Sequence, residues 1–488
     1  MISWPLVALI GIAVLGAALV LARLTLYYYA ANPQPPPALP LGATIPQTLI
    51  RAEPLLLAVI APLILFSSPL TVAALAVIPL LWILRWRTRG YFLPRTPLDW
   101  PIVLMAVMLP VSLLVTFDIG FSLGKVALLI YGIALHYAII DWANTEQRLK
   151  QSVVLYFAGG SVLALLGLLG TDWQNKLTFL GDLTANLPHI AQGLSRDQTG
   201  FHPNIVAGAL LWVVLPLLAV TAAAWSRRAP SLPSRRLRLF LLFSLLLTTG
   251  TLVLTQSRFG MVSALAGVAL LIYLAFPRLR VWLLALLALL TIAFLALAIL
   301  FPSRLADLGN EPANAGAGTL TNNLTVRLQV WQSALHAIAD YPLTGMGVDT
   351  LRRLMSVRYP AAIVPDSYDI GHAHNQLLQA PVDLGLPGLV GYLALWIAAA
   401  ALAWSSYRAS TNLWYRALAA GIGAALLASF LHGLADAVAL VSKPGIFFWA
   451  LQALDTALYV QVRRAAAVDY PATNPIINPN PAPIGSTQ

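Results

Sequence analysis

The chain has 488 residues, of which 59% are apolar and only 10% are charged, and its mean hydropathy is +0.79. Repeated apolar runs near the length of a bilayer span exclude a soluble domain and predict an all-α, polytopic transmembrane helical bundle. The net charge of +11 does not indicate nucleic-acid binding, because the arginines cluster in short connections between the spans. The absence of cysteine excludes disulfides and thiolate metal sites.

Twelve or thirteen membrane spans are predicted in chain order. They are residues 4–28, 54–67, 69–85, 101–117, 123–141, 151–170, 202–225, 238–255, 258–276, 280–301, 386–405, 417–440 and 445–462. The uncertainty in the count lies at residues 54–85, which are too long for one straight helix and short for two. Pro62 and the Ser67-Ser68-Pro69 run favour a tight hairpin there. The first span lacks a small-residue cleavage site, so we expect a retained anchor.

Four segments follow from these spans: an N-terminal bundle over residues 1–301, a loop over 302–385, C-terminal helices over 386–468 and a disordered tail over 469–488. Arginines and lysines concentrate on one side of the bundle. The positive-inside rule makes that side cytoplasmic, so the loop 302–385 is expected on the outer face of a cytoplasmic (inner) membrane. These basic residues are Arg85, Arg87, Arg89, Arg95, Arg148, Lys150, Arg227, Arg228, Arg235, Arg236, Arg238, Arg278, Arg280, Arg408, Arg416, Arg463 and Arg464.

Two arginines on the opposite side are candidates for anion binding. Arg196 precedes a Gly turn that leads into the span at 202–225, where the N–H groups of a helix start suit an anion such as a phosphate. Arg258 lies in the tight turn Gln256-Ser257-Arg258 at the outer interface. The alternative for Arg258 is snorkelling towards lipid headgroups.

The long loop predicts a small folded cap rather than a disordered connection. Apolar residues at Leu328, Trp331, Leu335 and Ile338 have helical spacing, and Tyr341-Pro342 is expected to stop that helix. Gly345-Met-Gly347 predicts a turn, and residues 351–357 predict a further short helix. A purely structural lid is the alternative.

Within this cap, His372 and His374 lie in its most polar run, where a histidine could act as a base at neutral pH. A metal site is disfavoured, because the i, i+2 spacing places the imidazoles on opposite sides of an extended segment. Asp366 and Asp369 show no ligand spacing. His432 and Asp436 are spaced i, i+4 and predict a satisfied His–Asp pair in the bundle.

The motifs resemble those of the O-antigen ligase and O-antigen polymerase superfamily, over about residues 54–462. His374-Asn375 is followed by nine residues and then Gly385-Leu-Pro-Gly388, which matches the family pattern. Three further motifs occur in the expected order. They are Arg196-x-x-x-Gly200 before Asn204, Ser257-Arg258, and Arg327-x-x-x-Trp331 followed by Pro342-Leu-x-Gly345-x-Gly347.

The resemblance implies an inverting membrane glycosyltransferase that moves a glycan from a polyprenyl diphosphate carrier to a hydroxyl acceptor, with no metal and no cofactor. It implies that His374 is the general base and that Arg196 and Arg258 bind the diphosphate. Arg327, Asn375 and His372 have supporting roles. Two alternatives stay open, a small-anion transporter and a scaffold. The sequence shows no inverted repeat for transport, and a scaffold leaves the spacing from His374 to Gly388 unexplained.

Overall fold

The computed structural model describes most of the chain. Described residues are 4–31, 45–65, 70–173, 178–191, 200–226, 234–300, 324–360, 371–436, 440 and 442–469. Within them the structure is helical, and no strand occurs beyond an isolated bridge between Thr171 and Phe201. The all-α fold class is therefore confirmed. Arg196, Asp366, Asp369 and the tail from residue 470 lie outside the described residues.

Seventeen α-helices are described. They are α1 (Trp4–Ala31), α2 (Ile45–Arg51), α3 (Glu53–Leu65), α4 (Thr71–Arg89), α5 (Asp99–Val115), α6 (Ile119–Trp142), α7 (Glu146–Gly170), α8 (Thr178–Ala185), α9 (Pro203–Ala224), α10 (Arg235–Leu254), α11 (Arg258–Ala275), α12 (Arg280–Leu300), α13 (Leu324–Asp340), α14 (Leu351–Arg358), α15 (Gln376–Ala409), α16 (Leu413–Gly433) and α17 (Gly445–Asp469).

Each of the predicted spans coincides with one of these helices. Nine helices among the described residues are long and apolar enough to cross a membrane, and α3 and α5 are shorter apolar helices. The chain is a multi-pass membrane protein. Residues 54–85 form the two helices α3 and α4, as the hairpin interpretation predicted. One span boundary was wrong, because α16 ends at Gly433 rather than 440. Helix α15 begins ten residues before the predicted start at 386, but it is kinked at Gly385, so its second part begins at the predicted residue.

Helix α9 forms the centre of the bundle. Most of its residues are buried, and it packs against α16, where small residues let the two backbones approach closely. A Cβ added to Gly421 of α16 would lie 2.5 Å from the Cα of Pro216 on α9, so only glycine fits there. An aromatic cluster joins α9 to α15 and α17, with Trp212 centred 5.5 Å from Trp396 and 5.2 Å from Phe448.

The cap is a folded unit with its own apolar core. Helix α13 ends at Asp340, directly before the predicted stop, and α14 occupies the second predicted helix. The buried face of α13 consists of Val326, Val330, Ala334 and Ala337. The predicted face was wrong at Leu328, which is 53% exposed. The face of α13 that carries the smaller side chains packs in one apolar cluster with Met346, and this contact decides which side of the helix is buried.

The cap is attached to the end of α5 by hydrogen bonds. Ser112 Oγ accepts from the N–H of Val348 at 2.8 Å, and Ser122 Oγ donates to the carbonyl of Val348 at 2.7 Å. Thr116 and Thr350 share a 2.8 Å hydroxyl contact. Gly347, with φ of +96°, comes so close to Thr116 that a Cβ would lie 2.7 Å from its Cα. The predicted Gly345-Met-Gly347 turn thus fixes the cap on the bundle.

Candidate functional site

The histidine pair sits in a tight turn immediately before α15. His374 has φ of +49°, an uncommon value for a residue other than glycine. Its N–H donates to Nδ1 of His372 at 3.1 Å. The two rings therefore lie close together, with centroids 4.2 Å apart and planes tilted by 54°. The prediction that they lie on opposite sides was wrong, because side chains at i and i+2 share one face even in an extended segment.

Neighbouring polar groups hold this turn in place. The N–H of Ala373 donates to Oε1 of Gln379 at 2.7 Å. Asn375 caps α15 by accepting from the N–H of Leu377 at 2.9 Å. Gln376 donates to the carbonyl of Phe430 at 3.1 Å, which ties the turn to α16. The structure thus gives Asn375 a helix-capping role, which positions His374 without a direct substrate contact.

The nine-residue spacing of the motif corresponds to one helical segment. Residues 376–384 form the first part of α15, which breaks at Gly385 with φ of 70°. A Cβ on Gly385 would lie 2.2 Å from the carbonyl oxygen of Leu343, so this contact requires glycine. Beside it, the N–H of Leu386 donates to the carbonyl of Pro342 at 2.7 Å. The Pro342–Gly347 motif therefore packs against the end of the His374 motif.

Asp436 completes the cluster, a contact that the sequence interpretation missed. It lies beyond the end of α16, with Oδ1 3.2 Å from Nε2 of His372 and 3.8 Å from Nδ1 of His374. The predicted partner His432 also acts on Asp436: its imidazole lowers the pKa of Asp436, and the N–H of Asp436 donates to the carbonyl of His432 at 3.0 Å. Asp436 therefore interacts with the histidine turn as well as with His432.

Arg327 brings the cap helix α13 into the same site. It is only 4% exposed, and its guanidinium carbon lies 5.3 Å from the ring centre of Phe259. Burial lowers the pKa of Arg327, and the nearby Asp436 partly offsets this. Since Phe259 follows Arg258, the contact also places α13 beside the predicted diphosphate-binding turn.

The electrostatics keep both histidines neutral near pH 7. Burial lowers the pKa of His374 well below 6.5, with His372 and Arg327 acting in the same direction and Asp436 opposing them. Burial likewise lowers the pKa of His372, whose side chain is 22% exposed. Burial would raise the pKa of Asp436, but the surrounding imidazoles hold it below its usual value. A neutral imidazole beside a carboxylate can accept a proton.

The structure describes only one of the two arginines predicted to bind an anion. Arg258 is exposed at the first position of α11, where Ser257 caps the helix by accepting from the N–H of Gly260 at 3.2 Å. Arg196 lies outside the described residues. His202, which lies between Gly200 and Asn204 of the same motif, caps α9 and contributes to the field at His374 and Asp436. The sequence interpretation gave His202 no role.

The ligand atoms of His372, His374 and Asp436 lie within 4.8 Å of one another, a spacing that could hold a metal ion. The turn itself argues against this. Nδ1 of His372 accepts the N–H of His374, so neutral His372 carries its proton on Nε2, the atom that faces Asp436. A metal ion bound at Nε2 would need a lone pair on this atom, where the proton is instead.

Comparison with known proteins agrees with the motifs. No curated protein matches this chain. Residues 241–393 match the family model described as O-antigen ligase, a region that runs from α10 through the cap to the kinked part of α15. It includes Arg258, Arg327 and the histidine turn. The resemblance to the O-antigen ligase superfamily is therefore confirmed over this region, and it supports a membrane glycan-transfer function in general.

Proposed function

We propose that the protein transfers a glycan from a polyprenyl diphosphate carrier to a hydroxyl acceptor, with inversion at the anomeric carbon. The observation that carries the proposal is the buried His374 turn, held beside Asp436 and beneath Arg327, within the region that matches the family. The neutral, oriented imidazole supplies the base, and exposed Arg258, whose neighbour Phe259 contacts Arg327, supplies the cation that such a displacement needs.

The chemistry balances as a single displacement. The acceptor hydroxyl oxygen forms a bond to the anomeric carbon, and its proton passes to His374. Nδ1 of His374 is 3.8 Å from Oδ1 of Asp436, too far for a hydrogen bond, and it has no hydrogen-bond partner among the described residues. The charge of the nearby carboxylate favours a proton on Nδ1, which leaves the lone pair on Nε2 as the base. The bond from the anomeric carbon to the diphosphate breaks, and its electron pair leaves with the diphosphate. The planar guanidinium of Arg258 offsets that charge, with Arg196 as a proposed second contact.

Asp436 is proposed as a positioning residue for this base. Its carboxylate stabilises the imidazolium that forms when His374 takes the proton, because the two side chains are 3.8 Å apart and mostly shielded from water. His372 lies between His374 and bulk solvent and contacts the same carboxylate oxygen at 3.2 Å. Arg327 lowers the pKa of His374, opposite to the effect of Asp436. Together with burial it favours a neutral His374 before the acceptor arrives.

The direct test is conversion by the purified protein in detergent micelles, where no gradient can exist. A polyprenyl diphosphate glycan and an acceptor should yield free polyprenyl diphosphate and a product with inverted anomeric configuration. An acceptor panel of lipid, glycan and protein hydroxyls would identify the acceptor. The competing hypothesis of a small-anion transporter predicts anion flux in sealed vesicles and no conversion in micelles, and that result would overturn the proposal.

The proposed outer location of the site needs its own test. The chain has no cysteine, so single cysteines can be introduced without background. Val357, which is 80% exposed on α14 of the cap, and Arg236, exposed at the start of α10, suit labelling. In intact cells an impermeant maleimide should label Val357→Cys and spare Arg236→Cys. Labelling of Arg236→Cys alone would reverse the topology and exclude an outer site.

A further inference from the structure

A cavity lies at the end of α5 that is opposite to the cap. Helix α5 meets the cap at Ser112 and Thr116, while its first residue, Asp99, lines a cavity of about 120 Å³. At about 1.5 Å per residue the two ends of this helix are about 25 Å apart. The cavity is formed between α1 and the start of α5. Its lining residues are Thr25, Tyr28, Tyr29, Arg95, Thr96, Asp99, Trp100 and Val103.

The cavity contains a buried polar group that the described protein does not satisfy. Thr25 is 1% exposed, and its Oγ1 has no hydrogen-bond partner among the described residues. A buried hydroxyl left without a partner is destabilising, and the cavity far exceeds the ~10–15 Å³ that one water molecule needs. Both observations indicate that a ligand with polar atoms belongs in this space.

The charges around the cavity have opposite signs. Arg95 is exposed, and its charge acts on the carboxylate of Asp99, although the two form no salt bridge among the described residues. Asp99 is a half-buried carboxylate whose Oδ1 accepts from Tyr137 at 2.9 Å and from Thr96 at 2.6 Å. Its Oδ2 accepts one hydrogen bond among the described residues, from the Thr96 N–H at 2.9 Å, and so retains capacity for another donor. A ligand that fits both residues carries an anion and a hydrogen-bonding cation.

Aromatic rings complete the lining. Tyr28 and Trp100 meet edge to face with ring centroids 6.2 Å apart, and Trp100 is 49% exposed. Aromatic faces attract ammonium groups, and tyrosine and tryptophan gather where lipid headgroups meet the apolar core. This end of the bundle therefore combines a phosphate-binding guanidinium, an ammonium-binding carboxylate and an aromatic wall at the membrane interface.

We propose that this cavity is a binding site for a phospholipid with a phosphoethanolamine headgroup. The phosphate pairs with Arg95, the primary ammonium donates to Asp99 and lies against the Tyr28 and Trp100 rings, and the glycerol region approaches Thr25. A choline headgroup has no N–H to donate to Asp99, and a purely anionic headgroup leaves that carboxylate without a cation. The site is independent of glycan transfer.

Native mass spectrometry of the full-length protein, titrated with phosphatidylethanolamine, phosphatidylcholine or phosphatidylglycerol, tests the assignment without any glycan donor. We expect phosphatidylethanolamine to bind most tightly, and Arg95→Gln to raise its dissociation constant about fivefold or more. Arg87→Gln is the matched control, because Arg87 is another exposed arginine, in the last turn of α4. Trp100→Leu should weaken binding as well, without touching the hydrogen bonds of Asp99.

Three results would overturn the site. They are equal retention of all three lipids, tighter binding of phosphatidylglycerol than of phosphatidylethanolamine, and identical effects of Arg95→Gln and Arg87→Gln. Free phosphoethanolamine distinguishes headgroup recognition from acyl-chain binding. It should compete with the lipid on the native protein, and a failure to compete at any concentration would place recognition in the chains and contradict the headgroup assignment.

Discussion

Two regions of this protein bury charged side chains, and they do so differently. Between α3 and α4, Glu53 and Arg85 form a direct ion pair with side-chain exposures of 2% and 0%, and Arg85 also donates to the carbonyl of Phe92 at 2.9 Å. At the cap, Asp436 faces two imidazoles while Arg327 lies against Phe259. The first pair neutralises itself in one contact. The second leaves histidines whose charge depends on whether a proton arrives, which suits catalysis rather than stability.

The largest expected effect comes from His374→Ala, which should reduce transfer by about 10²–10⁴-fold because a general base typically contributes that much. Initial rates of polyprenyl diphosphate release measure it. The matched control is His336→Ala, which removes an exposed histidine of α13 in the same cap. His372→Ala should lose much less than His374→Ala. Near-native turnover of His374→Ala, or a greater loss in His372→Ala at equal stability, would contradict the base assignment.

The Glu53–Arg85 pair provides the converse test. Glu53→Gln should lower the free energy of unfolding by about 3–5 kcal/mol, because it leaves Arg85 as a buried charge without compensation. Unfolding in mixed detergent micelles measures this. Turnover per folded molecule should stay unchanged. Replacing both partners, as Glu53→Leu with Arg85→Met, should restore much of the stability, and a specific loss of turnover in the double variant would show that the pair is more than structural.

Arg258 is expected to give an intermediate effect on the donor. Arg258→Ala should raise the KM for the polyprenyl diphosphate glycan by about 10–100-fold, since a hydrogen bond to a charged group contributes about 1.5–3 kcal/mol. Arg258→Lys should recover only part of this, because lysine lacks the planar fork. The comparison variant is Arg358→Ala, an exposed arginine of the cap helix α14. An unchanged donor KM in Arg258→Ala would leave Arg258 as an interfacial anchor.

The smallest expected effect is a displacement of the pH profile. Activity requires neutral His374, and burial lowers its pKa well below 6.5, so the acid limb should fall below pH 6.5. Arg327 lowers this pKa further, and Arg327→Gln should therefore move the acid limb to higher pH. Asp436 raises it, and Asp436→Asn should move the limb to lower pH. Rate profiles of kcat against pH test both directions, and shifts of the same sign in the two variants would contradict the proposed electrostatics.

The bundle could be predicted from sequence far better than the site. Apolar runs of bilayer length fix the spans, because a membrane demands local, continuous hydrophobicity. Helix ends depend on contacts between distant segments. Asn375 was given a supporting role without a structural reason, and it caps a helix whose start the hydropathy pattern hid, because residues 376–385 pack against the cap instead of lipid.

The contact between Asp436 and the histidine turn was missed for a related reason. Helical spacing predicts only the pairing of Asp436 with His432. The helix ends at Gly433, where a Cβ would lie 2.2 Å from the amide carbon of Gln376. That close approach of the histidine turn exists only in the folded molecule. No local pattern reports it, and the same holds for the positive φ of His374 that brings the two imidazoles together.

The break at Gly385 implies an asymmetry in how this region can vary. Nine residues separate the histidine turn from a glycine that is wedged against Leu343. A helix advances about 100° and 1.5 Å with each residue, so one inserted residue between 376 and 384 would rotate His374 by about a quarter turn away from Asp436. Changes of residue type cause no such rotation, but seven of these nine positions are buried and only Leu377 and Leu378 are half-buried. Substitutions should therefore be tolerated chiefly at those two positions, and changes of length at none of the nine.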